Sequence, residues 1–238
     1  MSNIWVIPDI HGNLKTLEEL IRGQLKPSKE DLLYFLGDYI DRGPDSKGVI
    51  DFLIKFQEDG YRTRFLKGNH EDYLLRTYNN EYVEKKMFGL SVKNKLKKEW
   101  MKFGGRETLQ SFAVKDVSQI PEKYIEWLKT LELYIELDNH YLVHAGFNFD
   151  LESPFDDEHS MLWIKEFKIK PEKVKFKKII HGHVPVSLDF IDLVRNSDTF
   201  DFIDLDNGVY MTGKEGFGNL TAFEVNTREL IIQPNMDI

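Results

Sequence analysis

The sequence has no cysteine. Disulfides and thiolate metal sites are therefore excluded, and any metal must be held by imidazole, carboxylate or amide groups. It also lacks any apolar run near the roughly 18 residues that suggest a membrane-spanning helix. Positive charge is in deficit: 32 lysines and arginines against 40 aspartates and glutamates leave a net charge of −8. Such a chain lacks the basic footprint for binding a nucleic-acid duplex, although local cations can still seat an anionic substrate. Met1-Ser2-Asn3 leads directly into an apolar strand, with neither a basic leader nor a long apolar stretch. A cytoplasmic location without a membrane partner is the expectation.

What is present is an ordinary globular balance, 41% hydrophobic and 30% charged over 238 residues, enough to bury a substantial core. Ile4-Trp5-Val6-Ile7, Leu32 to Leu36 and Thr63 to Leu66 read as strands. Helical spacing follows each one: Leu14, Leu17, Leu20, Ile21 and Leu25 after an Asn13 cap, then Val49 to Phe56, then Tyr73 onward. Three successive βα units predict a largely parallel sheet with right-handed crossovers.

Residues 79–112 are polar and lysine-rich and read as an inserted helical cap. Beyond them strands dominate. A hairpin joins Leu133–Leu137 to Tyr141–Val143, and runs at 176–180, 200–205, 209–211, 220–225 and 230–232 suggest a mixed or antiparallel second sheet. The expected architecture is α/β: one domain over 1–238, two mixed sheets face to face with helices on both outer faces, an αββα sandwich.

Polar clusters sit directly after the strands. They are Asp9-Ile10-His11, Gly37-Asp38 through Asp41-Arg42-Gly43, Gly68-Asn69-His70-Glu71, Val143-His144-Ala145-Gly146 and His181-Gly182-His183. Asp9 lies 29 residues before Asp38, and Asp38 lies 31 before Asn69, each about one strand plus one crossover helix. Five of the seven histidines fall in these clusters. Any one cluster alone reads as a turn. Five at consecutive strand ends do not, because packing does not gather His and Asp there.

This ordered set resembles the calcineurin-like metallophosphoesterases, and most nearly the bacterial and phage serine/threonine protein phosphatases within them. The resemblance implies a two-metal site. One metal would take Asp9, His11 and Asp38; the other would share Asp38 and add Asn69, His144 and His183. Imidazole, carboxylate and amide oxygen together suit two divalent ions, manganese ahead of iron or zinc. The resemblance further implies His70 as general acid, Asp41 as the group that orients it, and Arg42 as the fork that grips the phosphate.

Departures accompany the match. Pro8 stands where relatives commonly carry glycine, and Lys165 stands where they carry a second phosphate-binding arginine. Lysine keeps the charge but loses the bidentate fork, so Lys165 is a weaker substrate contact. Pro185 in place of a second histidine favours the protein-phosphatase branch, while His181 would face away from the metals. The expected function is dephosphorylation of phosphoserine or phosphothreonine proteins, or of small phosphate esters. Two alternatives are hydrolysis of dinucleoside polyphosphates and, from another class, a non-catalytic phosphate-binding scaffold.

Overall fold

Short apolar runs closed by Gly, Pro or Asp make short strands, and their alternation gives each sheet two faces. The computed structural model describes residues 2–87 and 95–237. β1 (Ile4–Ile7), β2 (Leu32–Phe35) and β3 (Arg62–Phe65) run parallel, with Ile7 beside Phe35 and Phe35 beside Phe65. α1 (Leu14–Glu18), widening to a π-helical segment over Glu19–Leu25, and α2 (Ser46–Glu58) form the crossovers. Asp45 starts α2 by accepting the Gly48 N–H at 2.8 Å. Asn13 does not cap α1. Its amide donates to the Ile10 and His11 carbonyls at 2.8 and 2.7 Å and braces the loop instead.

The cap expected over 79–112 falls on the end of α3 (Asn69–Met87), α4 (Lys95–Lys102) and α5 (Gly105–Ser111), and in part on positions 88–94, outside the described residues. α6 (Glu122–Lys129) then packs its Tyr124, Ile125 and Leu128 into the core beneath the first sheet.

β4 (Tyr134–Glu136), β5 (His140–Val143), β6 (Lys178–His181) and β7 (Phe202–Asp204) form the second sheet in that order, antiparallel only at the β4–β5 hairpin. α7 (Glu158–Trp163) and α8 (Leu188–Arg195) lie in its connections. β8 (Asn219–Glu224) and β9 (Leu230–Pro234) return to the first sheet, β8 antiparallel to β1. The later strands are thus divided between two sheets rather than forming one of their own. Val209–Met211, expected as a strand, is a turn: Gly208 has φ +61°, and the Met211 N–H donates back to the Gly208 carbonyl at 2.7 Å.

Alternation along β1 and β2 explains the layers. Val6, Tyr34 and Leu36 face Leu142, Ile180 and Ile203 across the two sheets. Trp5, Ile7, Leu33 and Phe35 point the other way, onto Leu17, Val49 and Leu53. Beyond the second sheet, Val143 and Ile179 pack on Phe147, Met161 and Val174. The result is an αββα sandwich.

Candidate metal centre

Parallel registry brings the carboxyl ends of β1, β2 and β3 to one edge, and the second sheet does the same for β5 and β6. Open α/β sheets bind ligands at such edges. His11 Nε2 and His144 Nε2 lie 3.7 and 3.5 Å from opposite oxygens of Asp38. The Asn69 Oδ1 atom is 2.9 Å from both His144 Nε2 and His183 Nδ1. Two groups therefore share Asp38, with ligand atoms within 4.8 Å of one another: His11, Asp38 and His70, and Asp38, His144 and His183. Asp9 lies outside both groups; its buried carboxylate accepts the His183 backbone N–H at 3.2 Å.

The ring tautomers follow from the backbone. His11 Nδ1 faces the Ile40 carbonyl at 3.1 Å and His144 Nδ1 faces that of Leu36 at 3.0 Å, so each Nδ1 carries the proton and each Nε2 turns a lone pair inward. Burial, with Arg42 and His70 adding to it, pushes the His11 pKa well below the usual imidazole value. Burial also lowers His144 and, with His144 nearby, takes His183 down to about 3. Burial opposes charge on Asp38, but His144, His70, His11 and His183 outweigh it and hold its carboxyl below the usual range. Neutral imidazoles around an ionised carboxylate are the protonation states that metal ligation requires.

Backbone strain is concentrated here. His11, Asp38, Asp41, Arg42 and His183 have φ of 48, 51, 71, 68 and 75°, in the left-handed region that costs non-glycine residues energy. Glu71 holds the Asp38 turn, its carboxylate accepting the N–H groups of Asp38, Tyr39 and Gly68 at 2.8–2.9 Å. Burial and the Asp38 charge raise the Glu71 pKa to about 8.

His70 Nδ1 lies 2.6 Å from Asp41 Oδ2. Burial disfavours a charged His70 ring, yet Asp38 and the Asp41 hydrogen bond prevail and raise its pKa. Asp41 is itself held on every side. The Trp100 indole donates to Oδ2 at 2.9 Å, Thr108 Oγ1 donates to Oδ1 at 2.5 Å, and Ser46 Oγ accepts the Asp41 N–H at 3.0 Å. Trp100 and Thr108 come from α4 and α5, so the lysine-rich segment contributes buried residues to the centre. Nothing in its composition signals this beyond the helical spacing of its few apolar positions.

Arg42 stands at the rim, half-buried, with Nη1 2.7 Å from His11 Nε2 and its guanidinium 4.0 Å from the centre of the Tyr210 ring. Tyr210 follows Asp206-Asn207-Gly208, a run that resembles a block near the site in this family and whose expected role is structural. Asp206 is fully buried, and its Oδ2 has no hydrogen-bond partner among the described residues. Lys165 is exposed after α7, with no hydrogen bond or ion pair to the other site residues among those described. His181 is buried between Phe167 and Phe202, on the side away from the cluster. A cavity of about 740 Å³, lined by Leu32, His140, Lys178 and Arg228 among others, opens at the opposite strand ends and is remote from this chemistry.

The donor set fits a pair of divalent ions: two inward Nε2 lone pairs, a shared carboxylate, an amide oxygen, and a His183 Nε2 that has no partner among the described residues. In this fold such clusters support metal-dependent hydrolysis. Among curated proteins, the chain is 34% identical over 84 residues to the symmetrical bis(5'-nucleosyl)-tetraphosphatase of Buchnera aphidicola, a match covering 35% of this chain and 30% of that protein. It is 28% identical over 171 residues to serine/threonine-protein phosphatase 1 of Salmonella typhimurium, covering 69% of each. The chain thus spans from 30% to 69% of the length of these relatives. Among solved structures, a cold-active protein-tyrosine phosphatase of a Shewanella species superposes with a TM-score of 0.62 at 14% identity, over 98% of this chain and 80% of that one, which shows the shared fold. The family model of the calcineurin-like phosphoesterases matches residues 2–220. The relatives carry names from both the tetraphosphatase and the protein-phosphatase branches, so the match does not single out the latter. With the site and the match over most of its length in agreement, the chain belongs to the calcineurin-like phosphoesterase family.

Proposed function

We propose that this chain is a dinuclear-metal phosphohydrolase that cleaves the phosphoanhydride chain of dinucleoside polyphosphates. The observation that carries the reaction type is the pair of ligand groups sharing Asp38, with Arg42 at their rim. Similarity to a tetraphosphatase supports the substrate class. Asp9, His11 and Asp38 would hold one metal, and Asp38, Asn69, His144 and His183 the other. Two divalent ions bound there would polarise phosphoryl oxygens and supply a water nucleophile at neutral pH. The Arg42 fork would bind two oxygens of the transferred group, restrained by the Tyr210 ring. His70, protonated and oriented by Asp41, would pass its Nε2 proton to the departing oxygen. Exposed Lys165 would meet the outer phosphates of a long chain rather than the one being transferred.

The His70–Asp41 pair favours a second reading, dephosphorylation of serine or threonine, because an alkoxide leaves poorly without a proton donor. One comparison separates the two. Manganese-loaded protein should hydrolyse diadenosine tetraphosphate with a kcat/KM at least about a hundredfold above that for a phosphoserine peptide. The reverse preference would transfer the assignment to the phosphatase reading. If neither compound turns over, both readings fail.

A further inference from the structure

An aromatic group flanks the centre and has no part in the chemistry described so far. Tyr73 lies one helical turn beyond His70 on α3, close enough for their side chains to be neighbours. Its ring stacks on Phe103, with centroids 5.7 Å apart and planes at 24°, and meets the edge of Trp163 at 4.8 Å. Phe103 is tied to the centre by a second route. Gly104, at φ +109°, packs so tightly on the Arg42 backbone nitrogen and the Asp41 Cβ that no side chain fits there. Two independent tethers, one along α3 to His70 and one through Gly104 to the Asp41–Arg42 backbone, therefore hold the stack against the loops that form the centre.

Phe103 ends the stack. One face is covered by Tyr73, yet the residue remains 45% exposed, which is unusual for a phenylalanine already engaged in stacking. The Trp163 indole N–H, adjoining the same rings, is buried and has no partner among the described residues. The arrangement is a two-ring stack with an exposed outer face, attached through Gly104 to the Asp41–Arg42 backbone and through α3 to His70. A flat aromatic group joined to a phosphate suits it, because every nucleobase has a π-face to offer and such stacking tolerates different bases.

We infer that Phe103, backed by Tyr73 and edged by Trp163, is a nucleobase-stacking subsite that receives the nucleoside end of the substrate as the third ring of the stack. The inference rests on the proposed substrate class and narrows it. Selection would act on the base, through stacking, and not on a peptide backbone. Phe103 belongs to the segment joining α4 to α5, whose Trp100 and Thr108 hold Asp41. A base seated there would press on the element that orients the proton donor.

The test is equilibrium binding to the full, manganese-loaded chain, with AMP and ribose 5-phosphate as probes that differ only in the base. AMP is expected to bind about tenfold more tightly than ribose 5-phosphate, within the range of one base–aromatic stack. Phe103→Ala should reduce that ratio to about one, and Phe103→Trp should keep it. Circular dichroism of both variants checks that the fold is retained; Phe103 is exposed, so the substitutions leave the core intact. Equal affinities for the two probes in the wild-type protein would overturn the inference, as would a Phe103→Ala variant with an undiminished ratio. A tenfold AMP preference in a protein that does not hydrolyse diadenosine tetraphosphate would leave the subsite standing and sink the proposed reaction. The two failures are therefore distinguishable.

Discussion

Asp41 makes no contact that a metal ligand needs, yet it is among the most constrained side chains in the molecule. Its oxygens accept from His70, Trp100 and Thr108. If its task is to aim the His70 proton, weakening any one donor should matter most where the leaving group needs that proton. Trp100→Phe keeps an aromatic ring but removes the N–H together with part of the buried indole, leaving a carboxylate oxygen one donor short at a cost of about 1–3 kcal/mol beyond that of the cavity it opens. Turnover of an alkyl phosphate should fall at least about tenfold further than that of p-nitrophenyl phosphate, whose leaving group departs unaided. An equal fall for both substrates would mean that Trp100 supports the fold alone. Arg42 permits a parallel test. Exposed Lys165 carries no bidentate fork to take its place, so Arg42→Ala should remove the fork on the transferred group and cost roughly a hundredfold in kcat/KM. Near-normal activity in that variant would show that the phosphate sits elsewhere.

At the scale of elements, the loops are held by local caps whose strength depends on charge. Asp157 starts α7 by accepting from the Ser160 N–H at 3.0 Å and Ser160 Oγ at 2.7 Å, and it also accepts from Asn148 at 2.9 Å. Asn148 and Ser160 together lower its pKa to about 2. An acid depressed in the folded state adds stability above its unfolded value near 3.8 and loses it as the pH falls toward about 2. Asp157→Ala should therefore cost about 1 kcal/mol at neutral pH. The difference between its urea midpoint and that of the wild type should close as the pH is lowered through this interval. A difference that persists at the acid end would assign the effect to packing instead.

Legibility in the sequence followed from range. β1 and β2 were visible because their apolar runs are local, and the helices after them because Leu17 or Val49 recurs at a local period. The candidate ligand histidines were visible because each follows its own strand. Trp100, Thr108 and Tyr210 were not, since their parts depend on which distant segments the fold brings to one edge. The Val209–Met211 run misled because a β-branched residue beside an aromatic suggests a strand, while the turn closed at Gly208 decides the conformation. Asn13 misled in the same way, its amide finding carbonyls nearer than the helix N-terminus.

For the molecule as a whole, the centre is an electrostatic liability that a cation relieves. Asp9, Asp38, Glu71 and Asp206 are all buried within one region. Burial raises the pKa of Asp9, with Asp206 and Asp38 adding to it, and takes that of Asp206 to about 7. One divalent ion binding only the folded chain at a hundred times its dissociation constant would add about 2.7 kcal/mol. For a chain of this size that corresponds to a melting temperature roughly 5–10 °C higher with manganese than after EDTA treatment. A melting temperature indifferent to both would contradict a metal centre built from these residues. Among the described residues no helix is long and apolar enough to cross a membrane.

The first three loops of the centre are stitched to one another rather than to solvent. The Ile10 and His11 N–H groups both donate to the Asp38 carbonyl, at 3.0 and 2.8 Å, and that of Gly12 donates to the Tyr39 carbonyl at 2.9 Å. Asp38, Tyr39 and Gly68 in turn donate to Glu71. No one of these loops can open while the others stay closed. Their amide protons should exchange with deuterium as one cooperative unit, at a rate set by unfolding of the whole first sheet. The His159 and Leu151 amides, on exposed connections, should exchange much sooner.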